Sequence, residues 1–273
     1  MKTSATLEEL TGLIVDTSSS LASDVEKALK SACRREVAGS AAKTVLQTIL
    51  ANIRLARRQR TPLCQDTGTL TFFVAEECRK TITPKLLKAA VAKATAMGAL
   101  RRNTLAALSG KSYDDNVCEG APVVHYVKGD GKTRVTLLMK GGGSENMSRQ
   151  YSLPDAELNA ARDLPGVEKC ILDAVYRAQG YGCAPGILGV CIGGDRASGY
   201  ETAKEQLLRP LDEKPSPLEA RLLAKANTLG IGPMGLGGKT TLLGLKIAER
   251  PRVPASFFVT VAYMCWAARR RSI

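Results

Sequence analysis

Pro62-Leu63-Cys64-Gln65-Asp66-Thr67-Gly68-Thr69-Leu70-Thr71-Phe72-Phe73-Val74-Ala75 joins a thiol, an amide and a carboxylate to a β-branched and aromatic run. The run from Thr69 to Ala75 predicts a strand that leaves the Cys64 loop directly. Upstream, Val45, Ile49 and Ile53 recur at helical spacing in a segment opening at Ser40. Arg57-Arg58-Gln59-Arg60 closes that helix, where cations suit its dipole, and Pro62 stops it. An earlier helix carries Leu21, Val25, Ala28, Leu29 and Ala32, with Ser20 or Ser23 as its cap.

Outward from this junction, Pro84 opens a helix expected to reach about Arg102. Val123–Lys128 and Val135–Met139, around Gly129-Asp130-Gly131, predict a hairpin. Helical patterns return near Val167–Ala178, Tyr200–Leu208 and Pro217–Ala226, and Ser256–Cys265 reads as a buried strand. No linker or repeat divides the chain. The expectation is a single α+β domain over residues 1–273. Its helical N-terminal part covers about 1–60, followed by a mixed or antiparallel sheet with flanking helices.

A chain of 273 residues with 44% hydrophobic content can bury a sizeable core. No apolar run reaches the roughly 18–20 residues that span a bilayer, and Met1-Lys2-Thr3-Ser4 lacks a signal core before Glu8 and Glu9. No membrane association and a cytoplasmic location are expected. The eight cysteines lack Cys-x-x-Cys spacing, and His125 is the sole histidine, which disfavours a finger-type zinc site. Thiolate ligands to a metal cluster remain open, since such ligands can lie far apart. The net charge of +13 calls for an anionic partner. The cations are dispersed and only 4% of residues are aromatic, so no nucleic-acid partner is expected.

Among the thiols, Cys64 lies between a basic helix end and a strand. Nearby arginines would favour its thiolate, while the alternative is a small buried hydrophobe. Cys183 lies in Gly182-Cys183-Ala184-Pro185-Gly186, a loop of little bulk that a cofactor can approach. Cys265 follows an apolar strand and is otherwise core. Cys33, Cys170 and Cys191 read as structural; Cys78 and Cys118 are undecided. Gly237-Gly238-Lys239-Thr240 is no phosphate loop, because Pro233 stands where that motif needs its first glycine. Lys140-Gly141-Gly142-Gly143-Ser144-Glu145-Asn146 is either an anion nest or an ordinary turn.

Five ordered motifs resemble the α subunit of class I, iron–sulfur fumarate hydratases and the related L-tartrate dehydratases. They are Pro62–Thr69, Lys140–Asn146, Cys183-Ala184-Pro185-Gly186 with Gly193-Gly194, Leu229–Gly238, and Pro254–Val259 running into Ala262–Ala267. The resemblance covers nearly the whole chain. It implies a [4Fe–4S] cluster held by Cys64, Cys183 and Cys265 with one iron open as a Lewis acid. It implies Asp66 as the acid–base group, although alone Asp66 reads as a turn carboxylate bonding its own backbone. Arg101 matches the position of a substrate-carboxylate arginine, and Gln65 and Gly143 are further substrate-side residues.

The resemblance further implies a small dicarboxylate substrate, interconversion of (S)-malate and fumarate, and a fumarase-type β subunit in an α2β2 hetero-oligomer. Part of the positive charge would then meet an acidic β subunit. One departure stands out: relatives carry a histidine before Pro-Ala-Ser, where this chain reads Pro251-Arg252-Val253-Pro254. The alternatives are an L-tartrate dehydratase α subunit, or a non-catalytic basic binding protein that has kept the fold.

Overall fold

The computed structural model describes residues 4–273. The first half runs α1 (Leu7–Ser19), α2 (Ser23–Arg35), α3 (Ala41–Gln59), β1 (Thr69–Ala75), α4 (Pro84–Ala96), β2 (Val123–Val127) and β3 (Val135–Lys140). There follow α5 (Gly142–Asn146), β4 (Arg149–Ser152), α6 (Leu164–Ala178), β5 (Gly186–Gly193) and α7 (Arg196–Gln206). The chain ends with α8 (Pro217–Thr228), β6 (Leu242–Arg250), β7 (Phe258–Met264) and β8 (Arg269–Ser272). These α-helices and two four-stranded mixed sheets make an α+β fold with a helical N-terminus. Among the described residues, no helix is long and apolar enough to cross a membrane.

Two compact units interleave along the sequence. One takes the chain up to Ala22, Ala51–Gly142 and Ala267–Ile273; the other takes Ser23–Leu50 and Gly143–Trp266.

The first unit holds the sheet β2-β1-β3-β8. Thr6 caps α1 by accepting the Glu9 N–H at 3.1 Å, while Glu9 accepts the Thr6 N–H at 2.7 Å. Leu10 and Ile14 of α1 join Leu87 and Val91 of α4 over Phe72, Val74 and Leu137 of the sheet. β1, buried along all but its first residue, takes an inner place. It pairs parallel with the half-buried β2 and antiparallel with β3. The expected hairpin is therefore absent: β2 and β3 flank β1, because the most apolar strand gains most from neighbours on both sides. Asp130 builds the turn between them, accepting the N–H groups of Lys132 and Thr133 at 2.8 and 2.6 Å.

The helix expected to reach Arg102 stops at Ala96. Gly98 at φ +75 takes the left-handed step that ends a helix, with its N–H on Thr95 C=O at 3.0 Å. The irregular stretch beyond it is organised by buried Asn116. Its Oδ1 accepts the N–H groups of Asn103 and Thr104, both at 3.1 Å, and its Nδ2 donates to Arg101 C=O at 2.9 Å.

The second unit holds the sheet β4-β7-β5-β6, with β5 parallel to β6 and antiparallel to β7. Cys170, Ile171 and Ala174 of α6 and Leu222 of α8 pack with Leu188, Val190, Val259 and Val261. Glu219, 2% exposed, joins three elements here. It accepts the Ile247 N–H at 2.8 Å, the Ser216 N–H at 2.7 Å and the Arg209 guanidinium at 3.2 Å. Burial alone would raise its carboxyl, but these N–H donors and the Arg209 charge outweigh it and lower it.

A lowered carboxyl stabilises the fold above the unfolded value, and that stability is lost as pH falls through the folded value. Glu219→Gln should therefore cost about 1–3 kcal/mol at neutral pH. The gap to the parent should close on acidification below the ordinary carboxylate range of about 4.5. Urea unfolding at several pH values, followed by fluorescence of Trp266, measures both.

Candidate active site

In the first unit the segment between α3 and β1 is fixed before its reactive groups begin. Leu63 is buried; its N–H donates to Ser18 C=O at 2.9 Å, and its C=O accepts the Asn52 amide at 3.0 Å. Cys64 follows, half-buried, its Sγ accepting the Asp66 N–H at 3.4 Å. Asp66 Oδ1 accepts the Gly68 N–H at 2.8 Å and the Asn103 amide at 3.2 Å, and Oδ2 accepts the Gly142 N–H at 2.7 Å. The Arg269 guanidinium, through Nη2, donates to Asp66 C=O at 2.7 Å. Asp66 thus makes the self-bonded turn expected of it alone, and its second oxygen is taken by Gly142, two residues past β3.

Gly68 closes the loop. It stands at φ +74, and a Cβ there would lie 2.4 Å from Lys140 C=O. Only glycine meets both demands. Thr67 Oγ1 donates to Arg101 C=O at 2.9 Å, which ties the loop to the Asn116-organised segment. Beside it lies a cavity of about 350 Å³ lined by Asp66, Gly68, Asn103, Thr104, Asn116 and Gly142. The Gly68 and Gly142 N–H groups are spent on the Asp66 carboxylate, and the recess is lined by the polar residues Asp66, Asn103, Thr104 and Asn116. It can hold a polar ligand and pass a proton to it.

In the second unit Cys183 stands exposed in left-handed backbone, φ +52, before β5. Its C=O accepts the Trp266 N–H at 3.2 Å, which sets Cys183 beside the chain segment that carries half-buried Cys265. The Tyr263 ring fills the space at Gly182 and Gly186, where a Cβ would come within 2.4 and 2.5 Å of it. Burial, then the neighbouring Cys265 and Cys183 charges, push the Tyr263 phenol well up. That side chain is a wall and not a proton donor. Gly143 is exposed and belongs to this unit.

The structure therefore joins Cys64 and Asp66 directly and adds the backbone of Arg101. The Arg101 and Gln65 side chains are exposed. Cys183 and Cys265 adjoin separately. Within either unit, among the described residues, no three His, Cys, Asp or Glu side chains form a metal-holding group. Three of the other thiols differ. Burial raises Cys78 and Cys191 and pushes Cys170 up to about 12, which leaves them inert.

The donor set fits an iron–sulfur group on two observations. The three thiols have soft sulfur donors that are exposed or half-buried, and Cys64 already receives an N–H bond on its sulfur. In addition, Arg269 Nε and Nη1 are buried with no partner, so two of the three nitrogens of a cation beside the loop lack an acceptor.

Sequence reasoning missed Asn103 and Arg269. No pattern marks Asn103, whose role depends on Asn116. Arg269 has a faint signal, since strand alternation from Ser272 turns Arg269 and Arg271 to one face.

A family model described as fumarate hydratase (Fumerase) matches residues 7–273. A Geobacillus stearothermophilus protein named "Putative fumarate hydratase class I" is 47% identical over 97% of this chain and 54% of its own length. A Methanocaldococcus jannaschii protein named "Putative L(+)-tartrate dehydratase subunit alpha" is 33% identical, covering 92% of this chain and 90% of the relative. The L(+)-tartrate dehydratase subunit alpha of Escherichia coli K12 is 30% identical, covering 86% and 79%. The chain spans about half the length of the Geobacillus relative.

Gly68→Ala should destabilise the protein by about 1–3 kcal/mol through backbone strain and the clash with Lys140 C=O. Circular dichroism in urea against the parent measures the loss; an unchanged midpoint would show that the loop tolerates a side chain there.

Proposed function

The chain belongs to the fumarate hydratase (Fumerase) family, and from that premise we propose that it is the α subunit of an iron–sulfur hydro-lyase interconverting (S)-malate and fumarate. Residues 1–273 are read as one fumarase-type α domain. The observation that carries the reading is Asp66, two residues from the Cys64 thiol, with its carboxylate fixed by three N–H donors at the mouth of a polar recess. The reaction is the loss of water from malate: one proton leaves C3, and the C2 hydroxyl leaves with another.

Cys64, Cys183 and Cys265 would hold a [4Fe–4S] cluster, which when bound supplies a Lewis acid for the substrate hydroxyl. The chain's own residues do the rest. Asp66 is the acid–base group, moving a proton at a carboxylate oxygen. The Asn103 amide and the Gly142 N–H keep that carboxylate in one orientation, so its approach to substrate needs no search. Arg101 pairs with a substrate carboxylate, and Gln65 and Gly143 contribute from the substrate side. A fumarase-type β subunit completes the enzyme as an α2β2 hetero-oligomer in the cytoplasm, within the tricarboxylic acid cycle.

The tartrate reading rests on a specific observation, the names of the Methanocaldococcus and Escherichia relatives. The two substrates differ by one hydroxyl, and the exposed Val253 stands where the resemblance places a histidine. The non-catalytic alternative is disfavoured by the Asp66 cradle, which a binding protein does not need.

Anaerobic co-expression with a β-type chain, followed by fumarate absorbance and iron counts, tests the proposal. Asp66→Asn should keep its iron and lose about 10²–10⁴-fold in turnover. Cys64→Ala should lose iron. Full iron and sulfide occupancy without turnover of malate or fumarate would overturn the malate–fumarate reading, and preferred turnover of tartrate would favour the second.

A further inference from the structure

Arg269 is 1% exposed and heads the largest fully buried side chains. It starts β8, opposite Met139 of β3, in the sheet that carries β1. A guanidinium stays charged at every pH at which a protein folds. Buried, it needs acceptors around its whole fork, yet one bond is made, from Nη2 to Asp66 C=O at 2.7 Å. Nε and Nη1 have no partner. Among the described residues of this unit no carboxylate bonds Arg269. Asp16 pairs with Arg60, Glu8 with Lys93, Glu9 with Arg134 and Glu76 with Arg79. Asp66 itself is taken by Gly68, Asn103 and Gly142.

A buried cation with one neutral acceptor is costly, and a methionine of similar length would cost less. The cavity beside Asp66 is not lined by Arg269, so no substrate reaches the orphaned donors from that side. The compensating charge must come from what the loop itself carries. Arg269 Nη2 bonds Asp66 C=O, and the Asp66 N–H bonds Cys64 Sγ at 3.4 Å, so the guanidinium holds the same residue that donates to the thiol. Resting on the proposed function, we infer that Arg269 is the built-in counter-charge of the iron–sulfur group at Cys64. A [4Fe–4S]²⁺ core on three thiolates is an anion, and a fixed cation under its loop favours it and favours its reduction. Arg269 is a positioning residue, acting through the Asp66 backbone and through its charge.

A purely structural clamp and a counter-charge differ in measurable ways. The full chain, produced anaerobically with its β-type partner, is compared with Arg269→Met and Arg269→Lys. Iron release to a chelator and the cluster's midpoint potential are followed by absorbance and paramagnetic resonance. Melting of the metal-free forms gives a third readout.

The counter-charge predicts that metal-free Arg269→Met melts no lower than the parent, because the unpaired buried charge has gone. With iron, the same variant should release it roughly tenfold faster and show a midpoint potential shifted negative. Arg269→Lys should keep the parent's potential. The inference is overturned if metal-free Arg269→Met melts lower or fails to fold, if its potential matches the parent's, or if Arg269→Lys shifts as far as Arg269→Met. A parent that takes up no iron would instead fail the functional reading, and this inference with it.

Discussion

Asp66 is bonded through every polar group it has, to four parts of the first unit. Its N–H meets Cys64 Sγ, its C=O meets Arg269, and its carboxylate meets Gly68, Asn103 and Gly142. The loop before β1, the irregular segment after α4, Gly142 just past β3 and the start of β8 are drawn to one residue. Gly68 makes this convergence sterically feasible, since any Cβ there would hold Lys140 C=O away. A side chain so held has little rotamer freedom left to lose.

The second unit solves a different problem: placing two thiols at the ends of the inner strands of an apolar sheet. β5 and β7 are buried almost throughout, and Tyr263 closes the space under the Cys183 loop. Burial then sorts the cysteines. Cys170 and Cys191, inside the core, are held as thiols by desolvation, whereas Cys183 is exposed and Cys265 half-buried. Water access thus separates Cys170 and Cys191 from the ligand candidates Cys183 and Cys265.

Buried polar residues carry much of the organisation. Asn116 satisfies backbone N–H groups of a segment that has no ladder of its own, and Glu219 those of Ser216 and of Ile247 on the sheet-edge strand β6. The positive charge is likewise not all surface. Lys140 and Arg269 are buried beside the Asp66 loop, so part of the +13 is a local feature of the site.

Much of this was legible in the residues. Helical periodicity placed α2, α3, α6 and α8, the β-branched run placed β1, and Pro62–Thr69 marked the loop that matters. The hairpin between β2 and β3 was not legible, since strand order depends on which strand most needs covering. Gly98 could have been read as a stop, but the run of alanines up to it favoured continuing the helix. By itself the sequence determined the family, most of the helices and the strand that leaves the thiol–carboxylate loop, because propensity, periodicity and motif are local properties. Only the tertiary structure decided that β1 lies between β2 and β3, that Asn103 orients Asp66, and that Arg269 lies buried beneath it. Those are bonds between residues up to 203 positions apart, and no local pattern encodes a partner at that distance.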